Sequence, residues 1–559
     1  MKFQIPVSLL LLFFIPAMAQ KNAAPETRFD LASDSSRTVR QTTKKSAQTK
    51  LELPDVVILG HDRYQRRVSN KVTRAQSPTL LQPGSPYDPI TQWFTRESEK
   101  PQVYADTSRI TRRIWGRLWG GTSTRILLNG GYWQQYDPST TFQVNTEMDN
   151  SSGQYTNSQY RTMMISGQGD YRINRSLHTK TKLTLSDDRF GLHRHISHKA
   201  ERNASKINIS TELTFKPTQS SEGTAGIGYN GLSLQSDTGQ TQLKTSDALY
   251  NLFFDYTFHF NSLQITASGH HLNERLQTPD TLHTQKFNEL NLALFYPVSR
   301  LISASAGIAY QSAKADSQFN QFRFSPYGRF NLMISNRLGL TAMISSGYEM
   351  HHYITRWQNN PYLNHDIPII PDKKQLGIKL KSEFMITNGL EFYLMFKRDW
   401  YRTYSVFHSD PAFHFPDMIM IRDVRLSETS AGATWQYNDW LRFQASFTTY
   451  SASLNNNPLT LDELPYRPKF YLPLRCTLQL EPGLWINLIS EITGERHTGF
   501  SGSGSLPAFA LLHLEARKNI IPQLSAELTI YNILNTSYKT WAPFREPGIQ
   551  IMTGLRAKF

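Results

Sequence analysis

Residues 548–559, "GIQIMTGLRAKF", alternate between apolar and polar side chains. Counting back from Phe559 by twos reaches Leu555, Ile551 and Ile549, whereas the other phase holds lysine, arginine and glutamine. Alternation with a period of two is the pattern of a β-strand that has one apolar face. A half-buried strand of a soluble protein shows the same pattern, so the rest of the chain must decide between the two.

The first residues predict export. Lys2 is followed by an apolar run at 5–17 and by Ala17-Met18-Ala19, a small-x-small cleavage pattern. These features predict a secretory signal peptide at 1–19. The alternative, a membrane anchor, is disfavoured because the apolar run is shorter than the ~20 residues that a spanning helix needs.

Composition narrows the fold class further. The chain has 559 residues, 39% hydrophobic and 12% aromatic, and its one cysteine is Cys476, so we expect no internal disulfide. Beyond the signal, no stretch approaches the 18 apolar residues of a transmembrane helix. The net charge of +15 could suggest nucleic acid, but for an exported chain it favours anionic lipid head groups or solutes.

From about residue 109 onward, strand-length runs are joined alternately by short turns and longer polar loops. The short turns are at 173–176, 216–221, 259–262, 296–300, 333–337, 386–389, 437–440 and 481–483. The longer loops are at 136–158, 189–204, 349–372 and 403–422. This asymmetry is typical of outer-membrane barrels, which have tight turns in the periplasm and long loops outside. A soluble β-sandwich, the alternative, has no such strict alternation.

The two faces of each strand differ sharply. On the strand that contains Lys379, a slip of one residue would place lysines in lipid at about 2–4 kcal/mol each near the midplane. The apolar phase must therefore face out, and Cys476 falls in that phase. The predicted lumen-lining charges are Lys379, Lys381, Glu383, Glu391, Lys397, Arg442 and Glu527.

The runs amount to ten hairpins and a final strand, whereas bacterial single-chain barrels have an even number of strands. The sequence therefore predicts a transmembrane antiparallel β-barrel of about 22 strands, with 20 as the alternative. We expect a disordered periplasmic tail at 20–50, a partly ordered segment at 51–108 and the barrel at 109–559. The final strand should close the barrel against the first, with its apolar phase toward lipid.

The last hundred residues contain a group of residues near the C-terminus: Asn532, Leu534, Asn535, Tyr538, Trp541, Pro547 and Gly548. In these residues the chain resembles the TonB-dependent receptor family. The resemblance implies a 22-stranded barrel, a plug inside it and TonB as a partner. Residues 20–108 are too few for a full plug, so we expect 51–108 to form a partial plug, or a partner protein to fill the lumen. A short stretch, 54–60, is faintly similar to the segment near a TonB box. The final strand, with Phe559, Leu555, Ile551 and Ile549, also resembles the signal that the barrel-assembly machinery reads.

Enzymatic motifs are weak. His193, His195 and His198 lie close together in a predicted loop, but no carboxylate or cysteine completes a metal set, and "GFSGSGS" lacks nucleophile-elbow spacing. We expect no enzyme, cofactor or metal. The sequence favours uptake or passage of solutes across the outer membrane. A passive porin-like channel, or a barrel that anchors a surface-binding or assembly function, are the alternatives. Trp357 and Tyr362 are candidate ligand contacts in a loop.

Overall fold

The computed structural model describes residues 111–192, 200–237, 242–299, 301–316, 319–335, 337–367, 369–387, 389–408, 416–454, 464–481, 483–499 and 504–559. The predicted signal peptide at 1–19, the tail at 20–50 and the segment at 51–108 lie outside these residues. The same holds for His193, His195 and His198.

Most of the described chain is β-strand. In chain order the strands are β1 (Thr111–Gly121), β2 (Ile126–Asp137), β3 (Thr140–Ser151), β4 (Tyr160–Asn174), β5 (Leu177–Gly191), β6 (Glu201–Thr218), β7 (Ser221–Asp237), β8 (Gln242–Phe260), β9 (Leu263–Gln277), β10 (Leu282–Pro297), β11 (Ile302–Ala315), β12 (Phe319–Ser335), β13 (Leu338–Glu349), β14 (Asp372–Thr387), β15 (Leu390–His408), β16 (Asp417–Asn438), β17 (Leu441–Leu454), β18 (Phe470–Glu481), β19 (Leu484–Thr493), β20 (Arg496–His497), β21 (Ser505–Leu506), β22 (Phe509–Ile521), β23 (Leu524–Tyr531) and β24 (Gln550–Lys558). One helix, α1 (Tyr353–Asn359), lies between β13 and β14.

The strands close into one barrel. Each pairs antiparallel with the next, β19 pairs with β22, and β24 pairs with β1, which gives a ring of 22 strands. The short strands β20 and β21 pair only with each other. The predicted fold class and the count of 22 are thus confirmed. Closure leaves no open edge, which in lipid would expose backbone groups at several kcal/mol each.

One predicted loop, 136–158, was wrong. It contains β3, and this strand is the run that the sequence count missed. Its outward phase holds Phe142, Val144 and Met148, but also two threonines and an asparagine, so its apolar face is interrupted. The predicted loops at 189–204 and 403–422 are shorter than expected because β5, β6, β15 and β16 extend into them.

The polarity of each face inverts along the strands. On β10, the outward Leu290, Leu292 and Leu294 are 46–56% exposed and form part of an apolar belt. Toward the end away from the short turns, Lys286 and Asn288 take the outer face, while Phe287 points inward and is fully buried. Lipid surrounds the belt, whereas water surrounds this external part, which encloses a packed core.

Candidate functional site

The packed core at the external end is built on two inward-folded loops. We call them the lid: the described residues of 350–371, which carry α1, and residues 532–549. Their apolar side chains pack against inward-facing residues of β5, β6, β7 and β9. The buried lid residues are Tyr353, Ile354, Trp357, Tyr362, Leu363, Ile367, Ile369, Trp541 and Phe544, and the wall residues include Phe190, Leu232, Leu234 and Leu276. The lid therefore occupies the external mouth of the barrel.

The wall supplies the cap of α1. The backbone N–H of Tyr353 donates to Glu274 Oε1 at 2.7 Å, and that of Ile354 donates to Asp247 Oδ2 at 3.2 Å. His352 Nδ1 lies 2.9 Å from Glu274 Oε2. A helix N-terminus has unpaired N–H groups and partial positive charge, so carboxylates stabilise it. The cap residue, His352, makes no side-chain cap bond of its own, and β8 and β9 provide the acceptors instead.

The descending part of the same loop is held by a buried arginine. Arg202, on the inner face of β6, donates through Nη1 to the carbonyls of Pro361 at 2.6 Å and Leu363 at 2.8 Å. Its Nε donates to Ser236 Oγ at 2.7 Å. Arg202 is 0% exposed, and a charge so completely desolvated is stabilised only where such bonds compensate it.

His365 is bonded on both sides of its ring. Its Nε2 lies 2.7 Å from Ser236 Oγ and its Nδ1 lies 2.7 Å from Thr245 Oγ1. Burial, and secondarily the charge of Arg202, lowers the pKa of His365 to about 3. The closed lid therefore contains a neutral imidazole at neutral pH.

Aromatic contacts join the two lid loops to each other. Tyr362 stacks on Phe544 and meets the edge of Phe190 at a centroid distance of 6.3 Å. Trp541 packs against Phe407 and Tyr466 at 4.9 and 4.5 Å.

The two aromatic residues that the sequence nominated as ligand contacts both lie inside the lid. Trp357 is 4% exposed and Tyr362 is 3% exposed. The Lys206 ammonium lies 5.0 Å from the centre of the Trp357 ring and 2.6 Å from Asp188 Oδ2. Neither ring reaches the outer surface while the lid is closed.

The loop 532–549 has its own polar support. Arg496, on β20, donates to the carbonyls of Lys539 at 2.7 Å and Thr540 at 3.3 Å. Glu546 is 6% exposed, and burial raises its pKa to about 7. Tyr155, in the loop after β3, donates to the carbonyl of Glu546 at 3.2 Å.

A group of possible cation ligands lies at the root of the lid. Glu349, His351 and Asp372 present oxygen and nitrogen donors within 4.8 Å of one another. However, the Lys374 ammonium contacts Glu349 Oε1, and Tyr401 donates to Glu349 Oε2 at 2.9 Å. A lysine thus already supplies the positive charge, and the group fits an ion-pair network better than a metal site.

The predicted lumen charges lie on the inner face, in two places. Lys379, Lys381, Glu383, Glu391, Lys397 and Arg442 are on β14, β15 and β17, in the phase opposite the exposed Leu380, Leu394 and Phe443. Lys379 is the direct cross-strand partner of Lys397. Lys381 pairs with Glu383 at 2.9 Å, and Lys397 pairs with Asp399 at 2.9 Å.

Glu527 lies apart from that group, on β23. It is paired with Arg117 at 3.1 Å and accepts a hydrogen bond from Trp119 Nε1 at 3.0 Å. Its surroundings therefore belong to the seam where β24 meets β1.

The predicted closure residues lie along that seam. Leu555 is opposite Leu118 of β1, and the backbones of Phe559 and Ile114 exchange hydrogen bonds at 2.7 and 2.9 Å. The outer-face side chains are Ile549, Ile551, Leu555 and Phe559, which are 39–76% exposed. Cys476 is in the outward phase of β18, across from Phe443.

Sequence reasoning missed the lid altogether. Its decisive residues, Arg202, Glu274 and Asp247, lie on three different strands, and nothing in their local pattern distinguishes them from solvated rim residues. A usable signal was the apolar content of 353–369, which is high for an exposed loop.

No family model matches the chain, and no curated protein does. Within the described residues, no helix is long and apolar enough to cross a membrane. Solved structures do match. The siderophore receptor PiuA from Acinetobacter baumannii aligns over 81% of this chain and 82% of that chain, with a TM-score of 0.64 and 10% identity. The ferric-catecholate import receptor Fiu from E. coli K12 aligns over 81% of this chain and 82% of that chain, with a TM-score of 0.65 and 8% identity.

The copper transporter OprC aligns over 81% of this chain and 80% of that chain, with a TM-score of 0.63 and 10% identity. These neighbours are receptors and a transporter rather than enzymes, and identities this low show a shared fold alone. The closed ring of 22 strands and its apolar belt place the barrel in the outer membrane. In fold, the chain is therefore a TonB-dependent receptor-like outer-membrane β-barrel.

Proposed function

We propose that this protein takes up solutes across the outer membrane, through a lumen whose external entrance is gated by the lid. The lid itself carries the proposal. A barrel of this girth leaves an aqueous channel unless something fills it. Here two loops fill the external mouth, and polar contacts from β6, β8 and β9 hold one of them in place.

The lid has the construction of a movable part. The bonds that hold the loop 350–371 to β6, β8 and β9 end on side chains such as Arg202 and Glu274, and the strand pairing of the barrel does not depend on them. One backbone bond, from the Asn364 N–H to the carbonyl of Pro416, joins the same loop to the residue before β16. Releasing these contacts would free the loop without breaking the ladder between strands. Trp357 and Tyr362 would then become accessible, and we propose that they contact the incoming solute.

Inward of the lid, the charges of β14, β15 and β17 would line the solute's path. The cross-strand pair of Lys379 and Lys397 places two ammonium groups side by side, although Lys397 is balanced by Asp399. We propose these residues, with Lys381, Glu383, Glu391, Arg442 and Glu527, as the lumen contacts.

The proposed partners follow from the fold. The structural neighbours named above are siderophore receptors and a copper transporter. From them we transfer to this chain only the general activity, which is uptake. Energy would come through TonB. Residues 51–108, or a partner protein, would control the periplasmic side of the lumen. Outer-membrane lipids surround the belt, and the barrel-assembly machinery would recognise the last strand, which ends at Phe559.

The gate can be tested by labelling from outside the cell. Lys379→Cys, in a Cys476→Ala background, places a thiol in the lumen. A membrane-impermeant maleimide should label it slowly in intact cells, and Arg202→Gln should accelerate labelling about tenfold or more, the effect of about 1.4 kcal/mol. Arg189→Gln is the matched control, because Arg189 is an exposed rim arginine paired with Glu201.

Each contrary result favours an alternative. If the parent were labelled as fast as a thiol on the outer rim, the lumen would be open and the protein a passive channel. If Arg202→Gln and the parent were both unlabelled while denatured protein reacted, no path would lead from the mouth to Lys379. The barrel would then be an anchor.

A further inference from the structure

The inner wall near the seam carries tryptophans on the side away from lipid. In membrane proteins tryptophan is usually found in interfacial belts. Here the phase opposite the lipid-exposed Ile114 and Leu118 holds two of them, and neighbouring strands add two more. The four are Trp115 and Trp119 on β1, Trp133 on β2 and Trp485 on β19; Trp119 is buried, and the other three rings are partly exposed to the lumen. We call the inner surface of β19, β22, β23, β24, β1 and β2 around them the tryptophan face.

Arginines are interleaved with these rings. Arg113 is the cross-strand partner of Trp133, with its guanidinium carbon 5.6 Å from the ring centre. Arg517 stands in the same relation to Trp485, at 5.7 Å. Arg556 is the cross-strand partner of Arg117, so two guanidinium groups stand side by side at the seam itself.

The charge of the tryptophan face is positive. Its cations are Arg113, Arg117, Arg517, Arg556 and Lys558, and its carboxylates are Glu515 and Glu527, so cations outnumber carboxylates. Glu527 is bonded to Arg117 at 3.1 Å and to the indole N–H of Trp119 at 3.0 Å. A surface of this charge attracts anionic solutes.

Trp115 provides a flat platform within this surface. Its indole covers Gly131 of β2: a Cβ at Gly131 would lie 2.3 Å from Trp115 Nε1. On its other side, the cross-strand partner of Trp115 is Lys558. A purely structural role, in which each tryptophan covers a glycine on the next strand, does not explain all four tryptophans. Trp133 and Trp485 are the cross-strand partners of arginines.

The face is long enough for a chain of rings. From Trp485 on β19 to Trp133 on β2 there are five inter-strand steps, or ~24 Å at ~4.8 Å each. Asn145 lies in the inward phase of β3 and is half-buried, whereas Asn129 and Asn487 are buried, and Asn487 donates to Glu515 Oε2 at 2.8 Å. The surface thus combines stacking platforms, carboxylate-binding guanidinium groups and the amide of Asn145.

We propose that the tryptophan face binds an anionic oligosaccharide. The apolar C–H faces of pyranose rings stack on indoles, Arg binds carboxylates through two parallel hydrogen bonds, and amides bind hydroxyl groups. This inference rests on the proposed function, since it names a substrate class for that uptake path. Trp115 pairs with the penultimate residue of the chain, so the site lies toward the short-turn end of the lumen.

Calorimetry on the full mature chain in detergent tests the proposal, with tetragalacturonate as the probe. We expect the parent to bind it, Trp115→Ala and Arg517→Gln each to weaken binding about tenfold, and maltotetraose, a neutral chain of the same length, not to bind. Phe253→Ala is the matched control: Phe253 is an inner-face ring that also covers a glycine, Gly226, but faces His270 on its other side.

Heat-modified mobility on gels confirms that each variant is folded. The proposal is overturned if the folded parent binds no tetragalacturonate, if maltotetraose binds equally well, or if Phe253→Ala weakens binding as much as Trp115→Ala. Tighter binding of oligothymidylate, lost in the same variants, would make this a nucleic-acid surface and equally overturn it. Binding in detergent requires no gating, so a failed labelling experiment at Lys379 would reject the gate and leave this result intact.

Discussion

Tyr362 and Phe544 stack face to face, with ring centroids 3.5 Å apart and ring planes 6° apart, although they belong to different external loops. Both rings are almost completely buried. This contact joins the loop that follows β13 to the loop that precedes β24. The stacked pair therefore links the two loops across the barrel mouth, and each loop depends in part on this contact for its stability.

Removing one ring should loosen both loops. Truncating a buried phenylalanine costs about 3–5 kcal/mol, and here the loss falls on the lid rather than on the strand ladder. Phe544→Ala should therefore raise amide hydrogen exchange in 353–367 as well as in 538–548. Leu534→Ala, in the same loop but 53% exposed, is the control and should leave both segments unchanged. Faster exchange confined to 538–548 would show that the loops open separately.

Acid should weaken the loop 350–371. The pKa of His365 is about 3 in the closed lid, against an ordinary value of 6.5. Between these two values His365 is protonated in the open loop and neutral in the closed loop. Closure is fully stable above pH 6.5 and loses up to about 1.4 kcal/mol per pH unit below it. Exchange in 353–367, corrected for its intrinsic rate, should rise between pH 6.5 and 4.5 relative to the His365→Asn variant, in which the other buried groups of the lid are unchanged. Asparagine stays neutral, and an equal slope in parent and variant would assign the rise to another group.

The loop 532–549 should respond in the opposite direction. Burial raises the pKa of Glu546 to about 7 from an ordinary 4.5, so the closed form holds a proton that the open form releases. Stability is complete below pH 4.5 and falls as the pH rises to 7. Exchange in 538–548 should therefore increase over that range, and Glu546→Gln should flatten the response. Equal pH profiles for parent and variant would contradict this assignment.

The seam should be sensitive to charge on one face only. Leu555 faces outward, opposite Leu118, and an arginine in the apolar belt costs up to about 2–4 kcal/mol near the midplane. Leu555→Arg should lower the folded fraction measured by heat-modified mobility in lipid vesicles. Arg556→Gln, the neighbouring change on the inner face, should leave folding nearly unaffected. Similar losses in both variants would contradict the assignment of the two faces.

Much of the barrel could be predicted because a strand that crosses the lipid has an apolar side chain at every second residue, on the face toward lipid. The inward positions of Lys379 and Lys397 follow from the leucines and phenylalanines that alternate with them. Strand β3 was not recognised in the sequence because threonine and asparagine interrupt its outward phase. The lid could not be predicted, since Arg202 meets Pro361 and Leu363 only after the strands have closed. Its burial depends on tertiary contacts between residues far apart in sequence.

The inversion of polarity along β10 has a mechanical consequence. Lipid touches the strand at Leu290 and beyond, whereas the wall that supports the lid begins on the other side of Asn288. One continuous strand thus meets two solvents in succession. Bilayer thickness and lateral pressure act on the first part, and the lid contacts depend on the second. A change in lipid composition would therefore alter how the barrel sits in the membrane without altering how easily its mouth opens.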